Sequence, residues 1–246
     1  MIEISLLTDI GRKRSNNQDF VNQYKNQSDV TLVVLADGMG GHRAGNIASE
    51  MAVTDLGSQW ADTDYTDLEQ IRDWMLVAIE AENQKIHALG ATEEFSGMGT
   101  TIEVLAFVQD VVLYAHVGDS RIALIRNGEY TQLTSDHSLV NELVKAGQLT
   151  EEEAAVHPQK NIITQSIGQA SPLDIDLGIQ PLQSGDFILV NSDGLSNMVN
   201  RQDKLEIILS DKTLQEKVEN LVEAANEAGG LDNITVVLVA YNEEDA

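Results

Sequence analysis

Apolar and polar residues along the chain follow two rhythms, one of strands and one of helices. Ile2 to Thr8 and Thr31 to Ala36 have strand character. Helical periodicity follows over Ala44 to Trp60 and over Asp67 to Leu89, where Leu68, Ile71, Met75, Ile79, Ile86 and Leu89 recur near helical spacing. Gly97-Met-Gly-Thr-Thr then opens a β-rich block of Thr101 to Val108, Val111 to Val117, Arg121 to Arg126 and Tyr130 to Leu133, with Asp110 and Asn127-Gly128 as hairpin turns. Residues 136–167 break that rhythm. Val140 to Lys145 is helical, Gly147 interrupts, Thr150-Glu-Glu-Glu is an N-cap signature and His157-Pro158 ends the stretch, so a small helical insertion lying on the sheet is expected. Strands resume at Asp176 to Ile179, Asp186 to Asn191 and Ile234 to Tyr241, with an amphipathic helix from Thr213 to Ala228 closed by Gly229-Gly230. Long helices set between blocks of short hairpin strands predict an α+β fold rather than a parallel doubly wound sheet.

The strand pattern has a recurring defect. The segments ending at Asp37-Gly38, Asp119-Ser120 and Asp193-Gly194 are apolar runs that stop on a carboxylate, and Asp232-Asn233 precedes the run Ile-Thr-Val-Val-Leu-Val. One Asp-Gly is an ordinary turn signal. Four from distant parts of one chain point to a hard-cation site, because strands fix the oxygens and glycine lets backbone approach an ion.

Composition narrows the chemistry. A chain of 246 residues can bury a full core, and with 3 prolines and no Ser/Gly/Pro-rich stretch it offers no linker, so a single domain over 1–246 is expected with residues 136–167 as an insertion within it. Fifteen Lys and Arg against 40 Asp and Glu give a formal charge of -25, which repels nucleic-acid phosphate and anionic membrane and favours cations or basic partners. Most of that charge is scattered along helix faces and reads as a solvated surface. The absence of cysteine removes disulfides, thiolate metal sites and every mechanism with a cysteine nucleophile. The N-terminus has an acid where a secretory signal carries bases, and no apolar run approaches the ~18 residues of a membrane helix, so a cytoplasmic protein is expected.

Oxygen ligands from separate strands select Mg²⁺, Mn²⁺ or Ca²⁺ over zinc, and EF-hand spacing is missing. Two-metal hydrolytic sites draw ligands in this way, and phosphoester hydrolysis is their natural chemistry. Neither a Gly-x-x-x-x-Gly-Lys-[Ser/Thr] loop nor Gly-x-Gly-x-x-Gly is present, which leaves nucleotide binding unsupported. The stretch Asp9 to Asp19 supplies three bases, Arg12, Lys13 and Arg14, to a chain with few, and an arginine fork suits phosphate.

In order along the chain stand Thr8-Asp-x-Gly11-x-x-Arg14-x-x-Asn17-Gln18-Asp19, Ala36-Asp37-Gly38-Met39-Gly40-Gly41-His42, Gly99-Thr-Thr101, Val117-Gly118-Asp119-Ser120-Arg121, Ser192-Asp193-Gly194-Leu195 and Asp232-Asn233-Ile-Thr-Val. This series resembles the metal-dependent protein phosphatases of the PPM, or type 2C, family, over essentially the whole chain. The 136–167 segment resembles the flap of bacterial members. The resemblance implies a β-sandwich of two antiparallel sheets flanked by helices. It implies hydrolysis of phosphoserine and phosphothreonine on proteins by a metal-bound hydroxide, without a phosphoenzyme, opposing a bacterial Ser/Thr kinase. Asp37 would bridge two Mn²⁺ or Mg²⁺ ions, Gly38 would offer its carbonyl, and Asp193 and Asp232 would complete the ligand set. Asp119 with Asp193 would hold a third ion. Arg14 would grip the phosphate, Asp19 would orient water at the ions, and Asn233 would support Asp232. Gln18 stands where the family commonly has Glu. Met39 occupies the place of a histidine that serves eukaryotic members as general acid, a role that would pass to His42. The competing readings are a phosphatase of small phosphoesters or of a dedicated phosphorylated regulator and, in a different class, a non-catalytic metal- or phosphopeptide-binding regulator. Among the remaining residues, His116, Trp60 and Trp74 read as core, and His137 and His157 as hydrogen-bonding residues of the insertion.

Overall fold

The computed structural model describes residues 1–40, 44–170 and 172–242. Its strands are β1 (Ile2–Asp9), β2 (Asp19–Lys25), β3 (Thr31–Met39), β4 (Gly99–Thr100), β5 (Ile102–Val108), β6 (Val111–Val117), β7 (Arg121–Arg126), β8 (Glu129–Gln132), β9 (Asp176–Pro181), β10 (Asp186–Asn191) and β11 (Ile234–Tyr241). Its helices are α1 (Ala44–Ala61), α2 (Leu68–Gly90), α3 (Leu139–Lys145), α4 (Glu151–Ala155), α5 (Asp193–Ser196), α6 (Arg201–Ile208) and α7 (Leu214–Glu227).

Continuous apolar runs such as Val33-Val34-Leu35-Ala36 and Ile234 to Tyr241 are buried on both faces, which a strand achieves only when each face is covered. Two antiparallel sheets stack to provide this, one in the order β1-β11-β10-β7-β8 and the other β2-β3-β5-β6-β9, with β4 paired to β3. Alternate residues then serve different layers. Val33 and Leu35 of β3 meet Val237 and Val239 of β11 between the sheets. Leu32, Val34 and Ala36 face the other way, onto Ala52, Leu56 and Ile79 of α1 and α2. On the opposite flank Leu189, Val236 and Leu238 pack on Val218, Leu221 and Val222 of α7. The result is the helix–sheet–sheet–helix sandwich expected from the sequence. Trp60 is fully buried, its ring tilted against half-buried Trp74 at 4.9 Å between centroids, with its indole N–H donating to the Val30 carbonyl.

Capping chemistry fixes the helix starts. Thr150 and Thr213 each form a reciprocal capping box with a glutamate three residues on, and Asp67 accepts from the amides of Glu69 and Gln70. The 136–167 segment is tied by backbone pairing of Ser138 with Ile163 within it and of Thr100 with Ile167 at its end. His137 accepts from the Gly118 amide and His157 from the Gln159 amide, as hydrogen-bonding residues of this segment. Asn127 and Gly128 both adopt positive φ in the β7–β8 hairpin, as a type I′ turn requires.

Three elements depart from the sequence pattern. β2 pairs along β3 although its residues alternate poorly, α6 lies in a stretch without an apolar stripe, and the single turn α5 follows β10 at once. β3 also continues through Asp37 and Gly38 instead of ending before them, because Gly38 and Met39 pair with Thr100 and Gly99.

Candidate metal centre

The acids that end the apolar runs gather at one end of the sandwich, where loops of both sheets meet. Asp37 is held by backbone from two directions: Thr101 donates its amide to the Asp37 carbonyl, and the Asp37 amide donates to Thr101 Oγ1 at 3.0 Å. Directly across the β2–β3 ladder from Asp37 stands Asp19, so two carboxylates occupy one cross-strand pair. Like charges in that position repel unless something positive lies between or beside them.

Asp19 is buried, and Ser192 and Thr235 each donate a hydroxyl to its Oδ2, at 2.7 and 2.6 Å. These two bonds cross from one sheet to the other and leave Asp19 Oδ1 buried with no protein partner. Asp193 is in the same condition: its Oδ2 accepts from the Asn197 amide at 3.0 Å while its Oδ1 is buried and unpaired. Buried carboxylate oxygens without donors are costly, and pairing with a cation removes that cost.

The N-terminal loop packs onto Asp232. A Cβ at Gly11, where φ is +78°, would run into the Asp232 carbonyl, so only glycine lets the loop lie there. Asn233 ties the same parts together. Its amide donates to the carbonyls of Ile10 and Asn16, its Oδ1 accepts from the Gln18 amide, and its own backbone N–H donates to Asp232 Oδ1 at 2.8 Å. Arg14 pairs with Asp232 Oδ2 at 2.7 Å and remains half-exposed. Gly38 lies so close to the carbonyls of Gly45 and Gln18 that no side chain fits, and its amide donates to Gln18 O. Gln18 therefore acts through its backbone, while its side-chain amide rests against Gly45 at the start of α1.

Electrostatics shows that these acids share one space. Burial raises the Asp37 pKa well above the usual carboxylate range, and Asp19, Asp193, Asp119 and Asp232 raise it further by repulsion. Burial, then Asp119 and Asp232, push Asp193 up to about 8. Asp119 rises to about 7 through burial and the charges of Asp136 and Glu103, against the pull of Arg121. Asp19 rises to about 6 because burial outweighs its two hydroxyl donors. Among the described residues no three acids or imidazoles are drawn close enough to form a ready-made cation cage. They stand at Coulombic range, with Arg14 supplying positive charge beside Asp232 and Asp193 and Arg121 beside Asp119. An all-oxygen set with raised pKa values and orphaned buried oxygens fits hard divalent cations.

Asp37, Gly38, Asp119, Asp193, Asp232, Asp19 and Arg14 are thus brought to one end of the molecule. His42 lies outside the described residues. Sequence reasoning assigned no role to Ser192, Thr235 or Glu103. The first two stand inside the motifs beside Asp193 and Asn233, where their hydroxyls were legible but their target was not. Glu103 is fully buried between the sheets, 3.0 Å from His116 Nδ1, and accepts from Thr101, the residue that holds the Asp37 amide. No alternation marks it, because it replaces an apolar residue in a strand.

Comparison with known proteins gives a consistent picture. Residues 10–234 match the family model described as protein phosphatase 2C. The chain is 62% identical over 245 residues to protein phosphatase PhpP of Streptococcus pneumoniae serotype 2 (strain D39), covering 100% of both chains. A serine/threonine phosphatase structure from S. agalactiae superposes with a TM-score of 0.97 at 65% identity, over 99% of this chain and 100% of that one. The catalytic domain of the phosphatase PstP in complex with 2 manganese ions superposes with a TM-score of 0.86 at 33% identity, over 98% and 99% of the two chains.

Proposed function

We infer the working of the cleft from one premise: this chain belongs to the protein phosphatase 2C family and is a metal-dependent protein serine/threonine phosphatase of the bacterial type. Asp37, the Gly38 carbonyl, Asp193 and Asp232 are assigned to two Mn²⁺ or Mg²⁺ ions, and Asp119 with Asp193 to a third. The observation that carries this reading is the facing pair Asp19 and Asp37, together with the unpaired buried oxygens of Asp19 and Asp193. When bound, the ions supply Lewis acidity and an activated water for attack on phosphorus.

The chain's own groups then have separate tasks. Ser192 and Thr235 lock one oxygen of Asp19, which leaves the other to accept a hydrogen bond and hold a proton at the floor of the cleft. Asn233 fixes Asp232 and the Arg14 loop as one unit. Arg14 neutralises Asp232 as a cation would. With Asp232 assigned to hold an ion, the Arg14 guanidinium would present its fork to two oxygens of the phosphoryl group. His42, three residues past Met39 in the chain, is assigned as proton donor to the departing serine or threonine oxygen.

Phosphoserine and phosphothreonine proteins are the substrates, and a Ser/Thr protein kinase of the same cytoplasm supplies them. The 136–167 segment is assigned as a flap that shapes substrate access within a single domain. No described helix is long and apolar enough to cross a membrane. Hydrolysis of p-nitrophenyl phosphate and of a phosphothreonine peptide should require Mn²⁺ and stop in EDTA. Normal turnover in EDTA would remove the metal centre from the account.

A further inference from the structure

On the outer face of the β7–β8 edge, under α6, lies a cluster that the metal centre does not use. Lys204 is only 2% exposed as a residue, its stem buried under α6, and among the described residues its ammonium has no hydrogen-bond acceptor and no carboxylate partner, while the nitrogen keeps contact with solvent. It lies over the Tyr130 ring, 5.8 Å from the centroid, and the Arg201 guanidinium lies over the same ring at 5.5 Å. Arg201 is exposed and also has no ion pair among the described residues.

The nearby acid is already committed. Asp136 takes a bidentate grip from Arg121, at 3.0 and 2.6 Å, and a further bond from the Gln132 amide at 2.9 Å. Lys204 is consequently pressed by Arg121 and Arg201 with little to offset them, and its pKa falls to about 7, mainly through burial. In a chain with 15 bases against 40 acids, two arginines and a lysine gathered around one tyrosine with a single committed acid are an unusual concentration of positive charge. An anion entering the cluster would relieve it.

The cluster adjoins the metal centre. Arg121 follows Asp119 by two residues, so their Cα atoms lie within about 7 Å of each other, and each feels the other's charge. Arg201 follows Asp193 through the single turn α5. An extended peptide advances roughly 3.3 Å per residue. The offset at which a substrate side chain meets Lys204 and Arg201 is therefore set by a short stretch of peptide and is what the peptide series scans.

We propose that Lys204 and Arg201, framed by Tyr130 and Arg121, form an anion subsite for an acidic group of the phosphoprotein substrate, either a carboxylate or a second phosphate monoester. The proposal rests on the phosphatase reading. The cleft itself is strongly acidic and offers a peptide little positive charge beyond Arg14, so a lateral cationic subsite supplies both attraction and register.

The test uses the full chain with Mn²⁺. One phosphothreonine peptide is prepared with a neutral residue, a glutamate or a phosphoserine at successive offsets on each side, and p-nitrophenyl phosphate serves as a substrate too small to reach the subsite. The wild type is expected to show KM lower by roughly 5- to 10-fold for an acidic peptide at a favoured offset. Lys204→Met, which keeps the buried stem without the charge, and the exposed change Arg201→Ala should both bring that ratio towards one. Both should leave kcat/KM for p-nitrophenyl phosphate unchanged. Arg201→Glu should shift preference to a peptide with lysine at the same offset. The better of the glutamate and phosphoserine peptides identifies the source of the anion. A wild type indifferent to acidic residues, or a preference that survives in the Arg201 variants, overturns the subsite while p-nitrophenyl phosphate turnover still upholds the phosphatase. No Mn²⁺-dependent turnover of any substrate sinks the reading beneath it.

Discussion

At the scale of the residue, the aspartates differ in what they are asked to do. Asp37 is fixed by Thr101, whose amide donates to the Asp37 carbonyl and whose hydroxyl accepts from the Asp37 amide, and faces Asp19 across the ladder, so its position belongs to the sheet itself. Asp119 stands on the turn between β6 and β7, and burial with nearby acids already raises it to about 7. Asp37→Ala is expected to lose both tightly held ions and activity. Asp119→Ala removes a repelling carboxylate, so its melting temperature without metal should be unchanged or higher. It should retain two ions while kcat falls by at least about tenfold, since a third cation would stabilise charge during turnover and not hold the fold. Equilibrium metal counting beside kcat on a phosphopeptide checks the pair. Full activity of Asp119→Ala would make it a turn residue.

At the scale of the element, the sequence was most legible where burial and period agree. α2 reads correctly from Asp67 onward because Ile71, Met75, Ile79 and Ile86 line its buried face and Asp67 caps it. β5, β6, β7, β10 and β11 were legible as apolar runs between turns. β2 and α6 were not, and each hides a charged group where a core residue would stand. Asp19 is the buried residue of β2, and Lys204 with Ile208 are the buried residues of α6. A pattern of apolar positions fails where chemistry replaces packing. The candidate site was legible through its motifs, but the donors to Asp19 were not, since the hydroxyls of Ser192, just past β10, and of Thr235 on β11 meet β2 only once the two sheets are stacked. Gly38 shows how one element positions another. Its missing side chain lets the first turn of α1 and the Gln18 carbonyl close on β3. Gly38→Ala should push α1 away from the strand and cost about 1–3 kcal/mol, as overpacking does. Urea denaturation with and without Mn²⁺ measures this, and weaker metal binding should accompany the loss. An unchanged midpoint would mean that α1 is not seated on β3 as described.

At the scale of the whole molecule, the acids of the cleft tie folding to pH and to metal. Unfolded, they titrate as ordinary carboxylates at about 3.9, but folded and without cations Asp19 moves to about 6, Asp119 to about 7 and Asp193 to about 8, with Asp37 also raised. A carboxyl with a raised folded pKa binds its proton more tightly in the native state. Its stabilising contribution is therefore complete below the unfolded pKa and is lost as pH rises through the folded values. In EDTA the melting temperature should fall steadily between about pH 5 and about pH 9, because ionisation leaves several buried like charges together. Divalent ions should reverse the sign, since on the proposed assignment they bind the ionised carboxylates and only in the folded chain. With Mn²⁺ in excess, stability should instead rise across the same window as protons cease to compete, by mass action on the native state. Scanning calorimetry in matched buffers with EDTA and with Mn²⁺ gives two curves that should diverge with pH. Parallel curves would show that the acids at the end of the sandwich do not bind the ions, and the assignment of Asp37, Asp193 and Asp232 would fall with them.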